Sequence, residues 1–192
     1  LYDYMATFAT YNFYPIAPSE PHSIDDIYSL DSYWKGAWIL HTLRYVIGDE
    51  QFFTLMRKWA YPNPEMESLT NGEQCRLVTT DEFFQMAEDL TGQDLTWFLE
   101  LYLRQAELPL LQYTLENGIL YLNWRTPAGL NFPMPVEIRM NNDVYIANMT
   151  GNSGSLTVKD HSFRIDPNNW ILKGLQNITA LDGDDGDKRF FD

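Results

Sequence analysis

Along the first half of the chain apolar residues recur at helical spacing, along the second half they alternate at strand spacing, and the change falls near Leu108. Between Asp31 and Gly48, residues Ala37, Leu40, Leu43 and Ile47, widened by Ile39 and Val46, predict a helix that buries one face. Gly48 supplies its stop. Leu1, Met5 and Phe8 predict the tail of an earlier helix over 1–14, and Pro15, Pro18 and Pro21 with Ser19 and Ser23 turn residues 15–27 into a loop. A second helix is predicted from about Glu50 to Trp59, with Phe52, Phe53 and Met56 at core spacing, ended by Tyr61-Pro-Asn-Pro64. A loop over 62–78 carries the turn signal Asn71-Gly72. Thr79-Thr-Asp-Glu82 then reads as a capping box opening a third helix with Phe83, Phe84, Ala87 and Leu90 on its stripe and Gly92 as its end. Asp94 caps a fourth helix lined by Leu95, Phe98, Leu99, Tyr102 and Leu103.

From Leu108 the runs are short and alternating: Leu111 to Glu116, Ile119 to Arg125, Val136 to Met140, Val144 to Asn148, Ser155 to Val158 and Ser162 to Ile165. Asn117-Gly118, between the first two, is the strongest hairpin signal of the chain. The fold class that follows is α+β, an all-helical module followed by a small antiparallel β-sandwich, divided as 1–106, 107–176 and an acidic flexible tail over 177–192. In that tail Asp182-Gly-Asp-Asp-Gly-Asp187 is out of register with a calcium-binding loop and lacks its distal Glu, which favours a solvated tail.

Charge narrows the partners. The 192 residues carry 13 basic and 27 acidic side chains, a formal net charge of −14, and nucleic acid requires the opposite balance. No apolar run approaches the roughly 18 residues of a membrane span. The single Cys75 forms no internal disulfide and, with no histidine beside it, reads as a bystander rather than a nucleophile. His22, His41 and His161 are too far apart for any two to share adjacent helical turns, so no hydrolytic zinc site is expected from this chain alone. The chain opens at Leu1 inside helical sequence and is expected to be a piece of a longer polypeptide, its partner being the N-terminal remainder. Two Asn-x-Thr triplets, Asn148-Met-Thr150 and Asn177-Ile-Thr179, are too short to carry an argument.

Tyr33-Trp-Lys-Gly-Ala-Trp-Ile-Leu-His-Thr-Leu-Arg, followed by Gly48-Asp-Glu-Gln-Phe-Phe53, resembles the Tyr-x-Lys-Gly-Ala segment of the zinc-dependent gluzincin aminopeptidases, of the membrane alanyl aminopeptidase and leukotriene hydrolase type. Thr79-Thr-Asp-Glu-Phe-Phe84, Thr91-Gly-Gln-Asp-Leu-Thr-Trp-Phe98 and Leu108-Pro-Leu-Leu111 resemble later landmarks of that family, in order, so that the likeness runs over roughly residues 1–175. It implies that the helical module is the C-terminal half of a thermolysin-like catalytic domain. The family's His-Glu-x-x-His zinc helix and its Gly-x-Met-Glu-Asn loop are absent, which implies zinc in the intact parent and no cofactor in this chain. The resemblance gives Tyr33 a catalytic task, donation of its phenolic hydrogen to the oxyanion formed on a peptide substrate. Without it, an aromatic at a helix start reads as a core or staple residue. Tyr28 matches a position that is tyrosine in leukotriene hydrolase, where a supporting, substrate-binding role competes with simple packing against the loop. A glycine at position 36 suits close approach of another helix, here expected to be the one bearing zinc.

Two functions follow. One is a C-terminal part of a zinc aminopeptidase-like protein that removes N-terminal residues from peptides, inactive in isolation. The other is a non-catalytic interaction or scaffold module on the same architecture.

Overall fold

In a computed structural model the described residues are 12, 14–19, 23, 30–72, 75–158 and 162–174. Tyr28, His22, His161, nearly all of the helix predicted over 1–14 and the tail over 177–192 lie outside them. The remainder forms helices α1 (Leu30–Ile47), α2 (Asp49–Ala60), α3 (Thr80–Thr91) and α4 (Thr96–Tyr102), then strands β1 (Leu110–Glu116), β2 (Ile119–Arg125), β3 (Val136–Met140), β4 (Asp143–Ala147), β5 (Met149–Thr150), β6 (Ser153–Thr157) and β7 (Phe163–Ile165). This is mixed helix and antiparallel sheet, an α+β arrangement as the change of period near Leu108 predicts.

Local chemistry explains the boundaries. Gly48 takes φ +82, a left-handed backbone that suits glycine, and donates its amide to Arg44 O at 2.9 Å, closing α1 immediately before α2. Thr79 and Glu82 form a reciprocal capping box at the start of α3, and Gly92 ends that helix in the left-handed region. At α4 the cap is shared differently from the sequence expectation. Leu95 is the flanking residue, Asp94 Oδ1 accepts Thr96 N at 2.9 Å, and Glu88 reaches across from α3 to accept Leu95 N at 2.8 Å.

The strands form a four-stranded sheet in the order β1-β2-β6-β5 and a three-stranded sheet in the order β4-β3-β7, every pairing antiparallel. Asn117 and Gly118 both have positive φ, the backbone of a two-residue turn whose twist matches β1 and β2. β2 buries Leu120, Leu122 and Trp124 and exposes the residues between them, and β3 likewise buries Val136, Ile138 and Met140. β4 departs from this alternation. As an edge strand it leaves Val144, Tyr145 and Ile146 all exposed.

One continuous cluster of buried apolar side chains runs from Ile39 and Leu43 of α1 through α2–α4 to both sheets. Phe132 is its keystone, with ring centroids 5.3 Å from Trp97, 5.5 Å from Tyr102 and 5.1 Å from Trp124. Several inward expectations are corrected. Ala37 and Phe53 are exposed, whereas Leu55 and Leu101 are fully buried. In α1 the buried line runs Lys35, Ile39, Thr42, Leu43 and Ile47, because two polar side chains find carbonyl partners inside and take the inner face from Ala37.

Candidate functional site

The first two turns of α1 carry the residues singled out by the sequence. Tyr33 is 56% exposed, while Lys35, two residues on and about 200° around the helix, is 0% exposed. Gly36 and Leu40 are half-buried and Ala37 is exposed, so Tyr33 heads an outward line one helical turn apart. A Cβ built on Gly36 meets nothing within 4 Å, which leaves room for close approach on that side. The phenol therefore stands at the surface, at a helix end whose amides carry partial positive charge and favour oxyanions.

Lys35 secures this turn from behind. Its Nζ donates to Ala106 O at 2.7 Å and to Gln105 O at 3.3 Å, reaching the segment that leaves α4. The same segment holds the 14–19 loop, because Leu103 O accepts Ala17 N at 3.0 Å while the Arg104 guanidinium donates to Ala17 O and to Asp81. Thus residues 103–106 are a common anchor for the loop, for α3 and for the start of α1. The sequence offered no signal for this: Gln105 and Ala106 take part through backbone carbonyls, which every residue has.

Farther along α1 a second polar attachment joins the helix to the end of the β region. Thr42 Oγ1 donates to Trp170 O at 2.9 Å and accepts Leu172 N at 3.0 Å. His41 and Tyr45 stack on the Trp170 ring at 4.7 and 5.9 Å. Asp166, with positive φ and its side chain nearly fully buried, accepts the amides of Trp170 and Ile171 and the Lys173 ammonium. Burial and the neighbouring Arg44 charge lower the His41 pKa below its usual 6.5, against smaller opposing effects from the Asn169 backbone and Asp166. Burial, with the Glu137 and Asp166 carboxylates nearby, pushes the Tyr45 phenol far up. His41 is therefore a neutral packing partner of Trp170, eight residues and about 12 Å along the axis from Tyr33. The structure does not bring the two together.

Among the described residues no group of three or more His, Cys, Asp or Glu side chains could hold a metal ion. No described helix is long and apolar enough to cross a membrane. Cys75 is exposed and in no disulfide.

No protein-family model matches the chain, and no curated protein matches it. Among solved structures the chain is similar to Legionella pneumophila aminopeptidase A, crystallised in complex with aspartic acid, with 19% sequence identity and a TM-score of 0.54 over 80% of this chain. The chain spans 18% of that protein's length. At this level of identity the likeness is one of fold, and the architecture is aminopeptidase-like.

Proposed function

We propose that the chain is the C-terminal part of a zinc aminopeptidase-like protein of the gluzincin type, comprising the end of a thermolysin-like catalytic domain over 1–106 and a β-sandwich over 107–176. In the intact parent, zinc would be held by residues outside this chain and would supply Lewis-acid polarisation of a peptide carbonyl. This chain would contribute Tyr33, whose hydroxyl donates its hydrogen to the oxyanion of the tetrahedral intermediate. A donor fixed before the reaction stabilises charge that is complete only in the transition state, so it raises kcat more than it tightens substrate binding.

The observation that carries this reading is the opposed placement of Tyr33 and Lys35: the phenol is exposed on the first turn of α1 while the ammonium behind it is fully buried and bonded. A core or staple role for Tyr33 would have placed the ring inside. The fold likeness to an aminopeptidase supports the same reading. Tyr28, five residues earlier in the sequence, is proposed as a substrate-binding residue.

Replacing Tyr33 by Phe in the full-length protein and assaying aminoacyl anilides tests the proposal. We expect kcat to fall by about 10²- to 10³-fold with KM little changed. An unaltered kcat removes Tyr33 from the chemistry. The second reading, a non-catalytic interaction module, is favoured by the apolar edge strand β4, whose Val144, Tyr145 and Ile146 lie open. Full-length protein that binds no zinc and cleaves no anilide decides for that module.

A further inference from the structure

We propose that Lys35 is a positioning residue for Tyr33: its ammonium, tied to the carbonyls of Gln105 and Ala106, holds the first turn of α1 so that the phenol meets the substrate at a fixed place. The inference rests on the catalytic reading of Tyr33 and adds a contact that fastens the helix end carrying it.

Lysine is almost never fully buried, because taking an ammonium out of water is costly unless strong acceptors replace the water. Here the side chain is 0% exposed and Nζ sits 2.7 Å from one carbonyl and 3.3 Å from another, both about 70 positions away in sequence. The residues that follow it on the same helical face, Ile39 and Leu43, are apolar, as burial alone would favour. A methionine at position 35 would fill similar space. What it would remove is the bond between the start of α1 and the anchor at 103–106.

That bond matters more at this end of the helix than elsewhere. Helix ends are the parts most ready to fray, and Tyr33 and Lys35 are the fourth and sixth residues of α1. Gly36 adds no side chain to wedge the turn, and its Cβ position faces open space. The anchor itself is immobilised from two other directions, through Ala17 N on Leu103 O and through Arg104 on Ala17 O and Asp81. Lys35 therefore couples Tyr33 to a fixed point rather than to another loose segment. A displacement of about 1 Å at a reacting group costs on the order of 10²-fold in rate, which sets the scale of the effect.

The test uses the full-length protein as wild type, Lys35→Met, Lys35→Gln, Tyr33→Phe and the Lys35→Met/Tyr33→Phe double variant. Amide hydrogen exchange followed by mass spectrometry is read alongside kcat and KM on an aminoacyl anilide. In Lys35→Met, peptides covering 33–37 should exchange at least about 10-fold faster while those covering 80–91 keep their wild-type rates. Its kcat should fall about 10- to 100-fold with KM within about twofold of wild type. Lys35→Gln, which still donates to one carbonyl, should recover part of both losses, and it stands in should Lys35→Met not fold. In the Tyr33→Phe background Lys35→Met should lower kcat no further.

Unchanged exchange over 33–37 in Lys35→Met overturns the proposal whatever the kinetics. If Tyr33→Phe lowers kcat and loss of Lys35 does not, the positioning role falls while the function of Tyr33 stands. If Tyr33→Phe leaves kcat unchanged, the function proposed for Tyr33 falls, and with it the claim that Lys35 positions a catalytic group, even where the turn is seen to loosen.

Discussion

The first turn of α1 and the seam where the helices meet the sheets are fastened by the same kind of contact but to different extents. At the seam, Phe132 lies among three aromatic rings, Tyr102 donates its buried hydroxyl to Leu172 O at 2.7 Å, Thr42 both gives and receives a hydrogen bond, and two rings stack on Trp170. At the first turn, Lys35 reaches one short stretch of backbone, and the next side chains outward are Tyr33 and the bare Gly36. The seam combines apolar area with closed hydrogen-bond pairs, so it sets stability. The turn combines an exposed phenol with the inward tether of Lys35, so on the proposed reading it sets where Tyr33 stands. Substitutions in the two places should separate into losses of stability and losses of rate.

The largest expected effect is at the seam. Phe132→Ala should cost about 3–5 kcal/mol, since it removes a fully buried ring and leaves a cavity among Trp97, Tyr102 and Trp124. Denaturant unfolding would read it, and a loss under about 1 kcal/mol would mean that helices and sheets do not share a core. Thr42→Val comes next. It keeps the volume but strands Trp170 O and Leu172 N without their partner, at about 2–3 kcal/mol in total. Hydrogen exchange in that variant should rise over 166–172 and stay unchanged over 33–37. Loosening at both places would erase the distinction between them.

The smallest effect is a pH dependence at the same seam. His41 is held below its unfolded pKa of 6.5, so in acid the unfolded chain takes up its proton first. Its contribution to stability is complete above about pH 6.5 and declines as pH falls toward the lower folded pKa. Tm measured from pH 7.5 to 5 should show this slope in the wild type and a shallower one in His41→Phe, which keeps an aromatic ring against Trp170. Identical slopes would leave His41 with packing alone. The Arg44–Asp49 pair beside it is open to solvent, which screens it, and should add little to the slope.

The parts of this protein that depend on a few neighbouring residues are legible in its sequence. The capping box of Thr79 and Glu82, the left-handed glycines at 48 and 92, the Asn117-Gly118 turn and the alternation of β2 and β3 all appear where the sequence puts them, because each is a constraint on one or two turns of backbone. Tyr33 was singled out only by a family resemblance, since an aromatic at a helix start reads by itself as a core or staple residue, and the fold leaves it 56% exposed. Tertiary structure alone decided which face of α1 turns inward. Periodicity counts apolar residues and put Ala37 inside, whereas the fold gives that face to Lys35 and Thr42, whose acceptors are Gln105, Ala106 and Trp170. It likewise decided that Phe53 and the β4 side chains stay in water, and that the 149–150 strand pairs with β6. A buried polar group is tolerated only where a distant backbone presents the matching partner, and no local spacing in a sequence records where that backbone will pass.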